Sequence, residues 1–157
     1  MTAATLGDVL AVRTVDAAPE LVDRLENNAV RCYSCGHRCK VLSGLKGICK
    51  VRYNENGVLK VPRGYVAALQ VDPIEKKPFF HAYPGALALS FGMLGCDYHC
   101  GYCQNWVTSQ ALRDPVAGTS PMDVEPSDLV ALAKKHGATV ITSTYNEPLI
   151  TSEWAVE

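Results

Sequence analysis

Read for its apolar and polar positions, the chain predicts short elements separated by turns. Residues 1–18 are weakly patterned and read as loose. Pro19 opens a short predicted helix, Glu20 to Glu26, with Leu21, Val22 and Leu25 on one face and Asn27-Asn28 ending it. Val51 to Val61 reads as a hairpin. Val51 and Tyr53 precede the turn, Asn56-Gly57 makes it, and Val58, Leu59 and Val61 follow. A second extended stretch runs from Tyr65 to Val71. From Asp72 to Gly85, three prolines and a glycine forbid long regular structure. Lys76 and Lys77 in that segment can meet a phosphate or carboxylate, or simply sit on a solvated loop with Phe79, Phe80 and Tyr83 packed beneath it. His81 reads as a loop residue rather than a ligand or base.

The apolar run from Ala86 to Gly92 predicts a buried strand at Leu87 to Phe91. Residues 108–124 are polar and irregular, long for a compact domain, and suggest a substrate-side loop. Pro126 starts a helix to about His136 with Leu129, Val130, Leu132 and Ala133 on its buried face. Lys134, Lys135 and His136 suit the negative end of that helix, and Gly137 stops it. The β-branched run Thr139 to Tyr145 then predicts a buried parallel strand. Strand, loop, helix, strand make one right-handed βαβ unit. Asn146-Glu147-Pro148 falls at the carboxyl end of its second strand, on the rim where the loop leaves the first, and ligand sites of parallel α/β folds gather there. Pro148 holds Glu147 extended and can open the next helix. Glu147 can bind a cationic group or serve only as an acid at a helix amino terminus.

Composition narrows the classes. With 157 residues, 48% of them apolar, and a mean hydropathy of +0.02, the chain suits one modest globular domain. A net charge of −1 gives no broad pull on nucleic acid or anionic membrane. No apolar run approaches the roughly 20 residues of a membrane helix. Met1 to Pro19 has no basic leader and carries Asp8, so it does not read as a secretory signal. Neither nucleic acid nor membrane is expected as a partner. Seven cysteines, an odd number spaced like ligand sets, point to a reducing cytoplasm.

The cysteines fall into two groups. Cys96, Cys100 and Cys103 follow the strand at Leu87 to Phe91 with spacing C-x3-C-x2-C. Three thiolates on one short loop suit a [4Fe–4S] cluster with one iron left open for a substrate or cofactor. Zinc and plain reduced thiols are the alternatives. Structural zinc takes four ligands, and His99, adjoining Cys100, would strain the geometry as a fourth. Cys32, Cys35, Cys39 and Cys49 follow C-x2-C-x3-C-x9-C, with Gly36, Gly44 and Gly47 nearby to allow tight turns. They can close a tetrahedral zinc site or hold a second iron–sulfur cluster, with His37 able to replace one ligand. A redox dithiol at Cys32 and Cys35 is a weaker alternative, since no βαβ pattern surrounds it.

With these motifs in place, the chain resembles the amino-terminal part of the AmmeMemoRadiSam-system radical S-adenosylmethionine (SAM) enzymes, relatives of the pyruvate formate-lyase activating enzymes. Four blocks over roughly residues 30–150 carry the likeness: the four-cysteine block through Val51-Arg52, Asp72 to Gly85, Gly95 to Asn105, and Thr144-Tyr145-Asn146-Glu147-Pro148. The third is specific to the superfamily and the others to the family. The resemblance implies that Cys96, Cys100 and Cys103 hold the cluster and that Tyr102 lies beside the SAM adenine. It places Glu147 on the SAM α-amino group, within a segment where relatives carry Gly-Gly-Glu-Pro. Tyr145 and Asn146 stand where those relatives have glycines, and Asn146 joins the cofactor-binding set. The implied chemistry is reductive cleavage of SAM to methionine and a 5′-deoxyadenosyl radical, which takes hydrogen from a protein or small-molecule substrate after an electron donor reduces the cluster. The cofactors supply that chemistry, so no side chain is assigned as catalytic.

The expected fold class is therefore α/β: the start of a partial (β/α)6 radical SAM barrel, about one βαβ unit, behind a small cysteine-rich, hairpin-containing metal-binding segment. The expected divisions are 1–30, a tail with a short helix; 31–85, the cysteine-rich and hairpin segment; and 86–157, a truncated barrel. A full barrel of that kind needs more chain than follows Leu149. A metal-binding scaffold without catalysis, holding zinc or iron–sulfur, is the alternative function.

Overall fold

The computed structural model describes residues 5–114 and 119–157. Its elements run α1 (Leu6–Ala11), β1 (Thr14–Asp16), β2 (Val22–Arg24), β3 (Val30–Cys32), β4 (Lys40–Val41), β5 (Tyr53–Glu55) and β6 (Val58–Pro62). There follow β7 (Tyr65–Val66), β8 (Ala68–Pro73), β9 (Leu87–Gly92), α2 (Trp106–Ser109), β10 (Met122–Asp123), α3 (Pro126–Lys135), β11 (Ala138–Ser143) and α4 (Ser152–Val156). Residues 1–4 of the expected loose tail and 115–118 of the expected 108–124 loop lie outside the described residues.

From Thr5 onward the amino terminus is structured. Asp8 N donates to Thr5 Oγ1 (3.2 Å) and Thr5 N to Asp8 Oδ2 (2.8 Å), a capping box that starts α1. Thr14–Asp16 then pairs antiparallel with β6. Of the expected helix Glu20 to Glu26, only single 3-10 turns form at its ends, Pro19–Leu21 and Glu26–Asn28, and the middle is a strand instead. Val22, Asp23 and Arg24 pair antiparallel with Cys32, Arg31 and Val30. A helix so short is marginal alone, whereas the ladder satisfies its backbone against β3. The hairpin is β5 and β6, joined through Asn56-Gly57.

The α/β fold class, the start of a partial (β/α)6 barrel, does not hold. The strands form four small sheets, in the orders β1-β6-β5, β2-β3-β4, β7-β10 and β8-β9-β11. They are mostly antiparallel, and among the described residues no βα unit repeats. Among the described residues, β9 and β11 alone pair in parallel, with α3 in the connection between them. The cause lies on the far edge of β9. There β8 runs back antiparallel from Ala68 opposite Gly92 to Pro73 opposite Leu87, occupying the edge that another parallel strand would need. β11 is an outer strand, so its residues are half-exposed rather than buried, Ile141 included.

α3 starts at Pro126 behind a Glu125–Asp128 capping box and ends at His136, whose N–H reaches Leu132 O (3.1 Å). It buries Leu129 and Ala133, while Val130, expected on the inner face, is exposed. Those two pack with Tyr65, Val66, Leu89, Phe91, Met93 and Leu94, and Trp154 of α4 meets Phe91 edge-on at 5.3 Å. A second small core joins Val30, Val41, Leu59 and Val61 in the cysteine-rich half. Between the halves, Cys49 and Val51 pack on Ile150. Lys76 and Lys77 are bound to Asp72 at 2.7 and 3.4 Å rather than left free, and Phe79, Phe80 and Tyr83 stand exposed instead of packing beneath their loop. No helix among the described residues is long and apolar enough to cross a membrane.

Candidate functional site

Buried β9 delivers the chain to Met93, Leu94 and then Gly95, where the loop of three cysteines begins. Gly95 has φ +85°, a conformation that costs an L side chain. A Cβ there would also lie 2.7 Å from Cys49 O and 2.8 Å from Val51 Cγ1. The loop of Cys96 therefore lies directly on the backbone of Cys49, and the two cysteine groups, far apart in sequence, are neighbours.

The segment after the loop holds it in shape. Gly95 N donates to Thr108 O (3.1 Å), Gln110 Nε2 to Tyr98 O (3.1 Å), and Arg113 to Cys96 O (3.2 Å) and Ile48 O (2.8 Å). Cys103 Sγ lies 3.3 Å from Ser109 Oγ. Facing this loop is the turn after β11. Thr144 N extends the ladder to Phe91 O (2.8 Å). Tyr145 takes φ 72°, a value uncommon for a residue with a side chain. The turn lies so close to β9 that a Cβ on Gly92 would fall 2.8 Å from both Thr144 O and Tyr145 Cδ2. Asn146 Nδ2 donates to Gly95 O (2.9 Å) and fastens the turn to the cysteine loop.

Together these segments enclose an open cleft of about 430 Å³. Cys96, Cys100 and Cys103 line one side, and Thr144 to Pro148 the other. Glu147 is half-buried there, and its Oε1 accepts from Leu149 N (3.2 Å), capping the short turn that follows. This is the structural role open to it from sequence, and it uses one carboxylate oxygen. Tyr102, expected beside an adenine, is 88% exposed and does not line the cleft.

Sequence reasoning missed Gln110 and Asp97. Gln110 lines the cleft, and its Oε1 is a buried acceptor without a partner among the described residues. A polar cleft residue between two short helical turns carries no sequence signal. Asp97 is 5% exposed and sits between the cysteine groups. Its Oδ2 is 3.6 Å from His37 Nε2 and its Oδ1 3.9 Å from Cys96 Sγ. An acid directly after a cysteine in a metal-type loop was the available signal. His37 is thus engaged with Asp97.

All seven cysteines are free thiols. Among the described residues, no three His, Cys, Asp or Glu side chains converge tightly enough to ligate a single ion. A cluster makes a different demand, because each cysteine holds its own iron and the thiols stand around a cavity instead of meeting at a point. Cys96, Cys100 and Cys103 stand in that way, and the unpartnered Gln110 acceptor gives the cleft a polar place for a ligand. The residues present fit a cluster with a small polar molecule beside it. The cleft is also within the roughly 300–1,000 Å³ usual for small-molecule sites.

No family model matches this chain, and no solved structure matches it. The chain is similar to an uncharacterized protein of Methanocaldococcus jannaschii, 38% identical over 133 residues. That alignment spans 84% of this chain and 39% of the relative, so the chain covers about two fifths of the relative's length.

Proposed function

We propose that the protein is a radical SAM enzyme, related to the pyruvate formate-lyase activating enzymes, with a [4Fe–4S] cluster on Cys96, Cys100 and Cys103 and SAM in the same cleft. One observation carries this reading: the three thiols and the Asn146-Glu147 turn follow different strands yet line one cleft. When bound, the reduced cluster and SAM supply one-electron cleavage of the sulfonium carbon–sulfur bond and, through it, hydrogen abstraction from a substrate.

The chain's own residues bind and orient. Arg113 fixes the Cys96 carbonyl, and Ser109 sits against the Cys103 sulfur. Asn146 locks the facing turn to Gly95, which fixes the distance across the cleft. The Glu147 carboxylate offers its charge to a cationic amino group while its cap on Leu149 holds it in place. The cleft is open, so the exclusion of water falls to the substrate or to further chain. The substrate is a protein or a small molecule, an electron donor is required, and the cytoplasm suits seven free thiols.

A second reading, a metal-binding scaffold without catalysis, is favoured by the four small sheets, which provide no repeated βα frame around the cleft. Anaerobic reconstitution separates the two. The first reading expects a brown protein with about four irons on this loop, an electron paramagnetic resonance signal that changes on adding SAM, and loss of that iron in Cys100→Ala. A colourless protein, or a signal indifferent to SAM, refutes it.

A further inference from the structure

Asp97 is buried against the cysteine loop but does not line the cleft, and binding in the cleft gives it no task. A carboxylate taken out of water needs partners in place of its hydration. They come from a distant segment. The tight turn after Cys35, with Arg38 N on Cys35 O (3.3 Å) and Arg38 at φ 46°, swings His37 over the loop. There His37 Nε2 lies 3.6 Å from Asp97 Oδ2, and its ring meets Tyr98 edge-on at 6.1 Å. The Cys35 thiol is close enough to feel the same carboxylate. Among the described residues no lysine or arginine pairs with Asp97. Arg113 is engaged by the Cys96 and Ile48 carbonyls instead.

The other carboxylate oxygen faces a proposed cluster ligand. As a thiol, Cys96 Sγ donates to Asp97 Oδ1 (3.9 Å). A cysteine that ligates iron has given up its proton. The carboxylate then faces a thiolate sulfur with no hydrogen between them, and its partners in the His37 turn keep it there. The Asp97 side chain is 3% exposed and Cys96 is 7% exposed, so water screens this contact little. A buried negative group at that distance raises the energy of any further negative charge beside it. Net charge and exposure are among the properties that set an iron–sulfur potential.

Resting on the cluster reading of the cleft, we propose that Asp97 lowers the reduction potential of the cluster on Cys96, Cys100 and Cys103, and that the His37 turn holds Asp97 against Cys96 for this purpose. One electron added to the cluster, from an external one-electron donor, places one more negative charge beside the Asp97 carboxylate. The oxidised form is favoured in consequence, and the reduced form becomes the stronger electron donor. One-electron cleavage of a sulfonium bond calls for such a donor. No bond forms or breaks at Asp97 itself. It acts through Cys96 and is a positioning residue. The four-cysteine segment thereby gains a role in the cleft chemistry through His37 rather than through its own sulfurs.

The test is an anaerobic potentiometric titration of the reconstituted 157-residue chain. It is run without SAM, with titanium(III) citrate as reductant and the reduced cluster read by electron paramagnetic resonance. Asp97→Asn keeps the shape of the side chain and removes its charge. It should hold as much iron as wild type and favour the reduced cluster about tenfold or more, a positive shift of at least about 59 mV for one electron. Asp97→Ser, smaller and also neutral, should shift the midpoint the same way, and Asp97→Glu, which keeps the charge, should shift it by less than either. A merely structural role would change iron content or melting and leave the midpoint of the remaining cluster where it was. Neutral variants that hold iron but shift by less than about tenfold, or a Glu variant that shifts as far as they do, overturn the proposal and leave the cluster reading standing. Loss of iron from both neutral variants makes Asp97 part of the loop's framework and overturns it as well. A wild-type chain that takes up no cluster refutes the cluster reading and the proposal with it, and the wild-type iron count tells that case from the others.

Discussion

Arg52 and Glu153 offer the sharpest test of how the two halves of the protein are joined. Arg52 is 2% exposed and the Glu153 side chain 11%, so their ion pair has lost most of its water. The guanidinium gives both terminal nitrogens to the carboxylate and its Nε to Ile150 O (2.8 Å), while Ala18 N reaches Glu153 Oε1 (3.3 Å). Arg52→Ala leaves a buried carboxylate without its cation, a loss of about 3–5 kcal/mol, and strands Ile150 O. That loss lowers Tm by roughly 6–20 °C for a chain of this size. The double variant Arg52→Met/Glu153→Leu removes both charges at similar volume and is expected to lie within about 1–2 kcal/mol of wild type. The assay is urea denaturation of all four members of the cycle at fixed metal loading, with slopes compared to check two-state behaviour. The energies should be strongly non-additive. If the double variant loses the sum of the two single losses, the two residues do not act as a desolvated pair, and the joint between the halves lies elsewhere.

Two further outcomes follow from the same contacts. Gly95→Ala forces φ +85° on an L residue and drives a methyl into Cys49 O, so it should cost about 2–5 kcal/mol and lower the iron retained after reconstitution, measured by denaturation and metal analysis; a wild-type melting curve would contradict the close approach of the two cysteine segments. In metal-free, reduced protein, burial first and then the Asp97 and Cys32 charges push the Cys35 thiol up to about 11, against the lowering effect of the His37 amide. At pH 8 about one Cys35 in a thousand is then thiolate, against about a quarter for an ordinary thiol. Mass-resolved alkylation should modify exposed Cys100 well before Cys35, with the Cys35 rate rising about tenfold per pH unit toward pH 11; equal rates at pH 8 would contradict the burial.

What could be read along the chain was local. The strand at Leu87 to Phe91, the helix from Pro126, and the Asn56-Gly57 hairpin each depend on neighbouring residues, through an apolar run, a proline at a helix start and a turn dipeptide. The same local reasoning failed at Glu20 to Glu26, where pairing with Val30 to Cys32 outweighs a weak helical pattern. It failed for the fold class because the direction in which β8 adds to β9 is not written in either strand. It also failed at Phe79, Phe80 and Tyr83, where apolar side chains in a proline-rich loop find nothing to pack under.

By itself the sequence determined the two cysteine sets and the Asn146-Glu147-Pro148 turn, because ligand spacing and turn chemistry are properties of a few consecutive residues. Only the tertiary structure decided that Gly95 rests on Cys49, that Asp97 stands between His37 and Cys96, that Arg52 clamps Glu153, and that three thiols and Glu147 share one cleft. Those contacts join segments far apart along the chain. They form because burying β9 and Ile150 draws the segments together, and no local pattern specifies which distant backbone will lie against which.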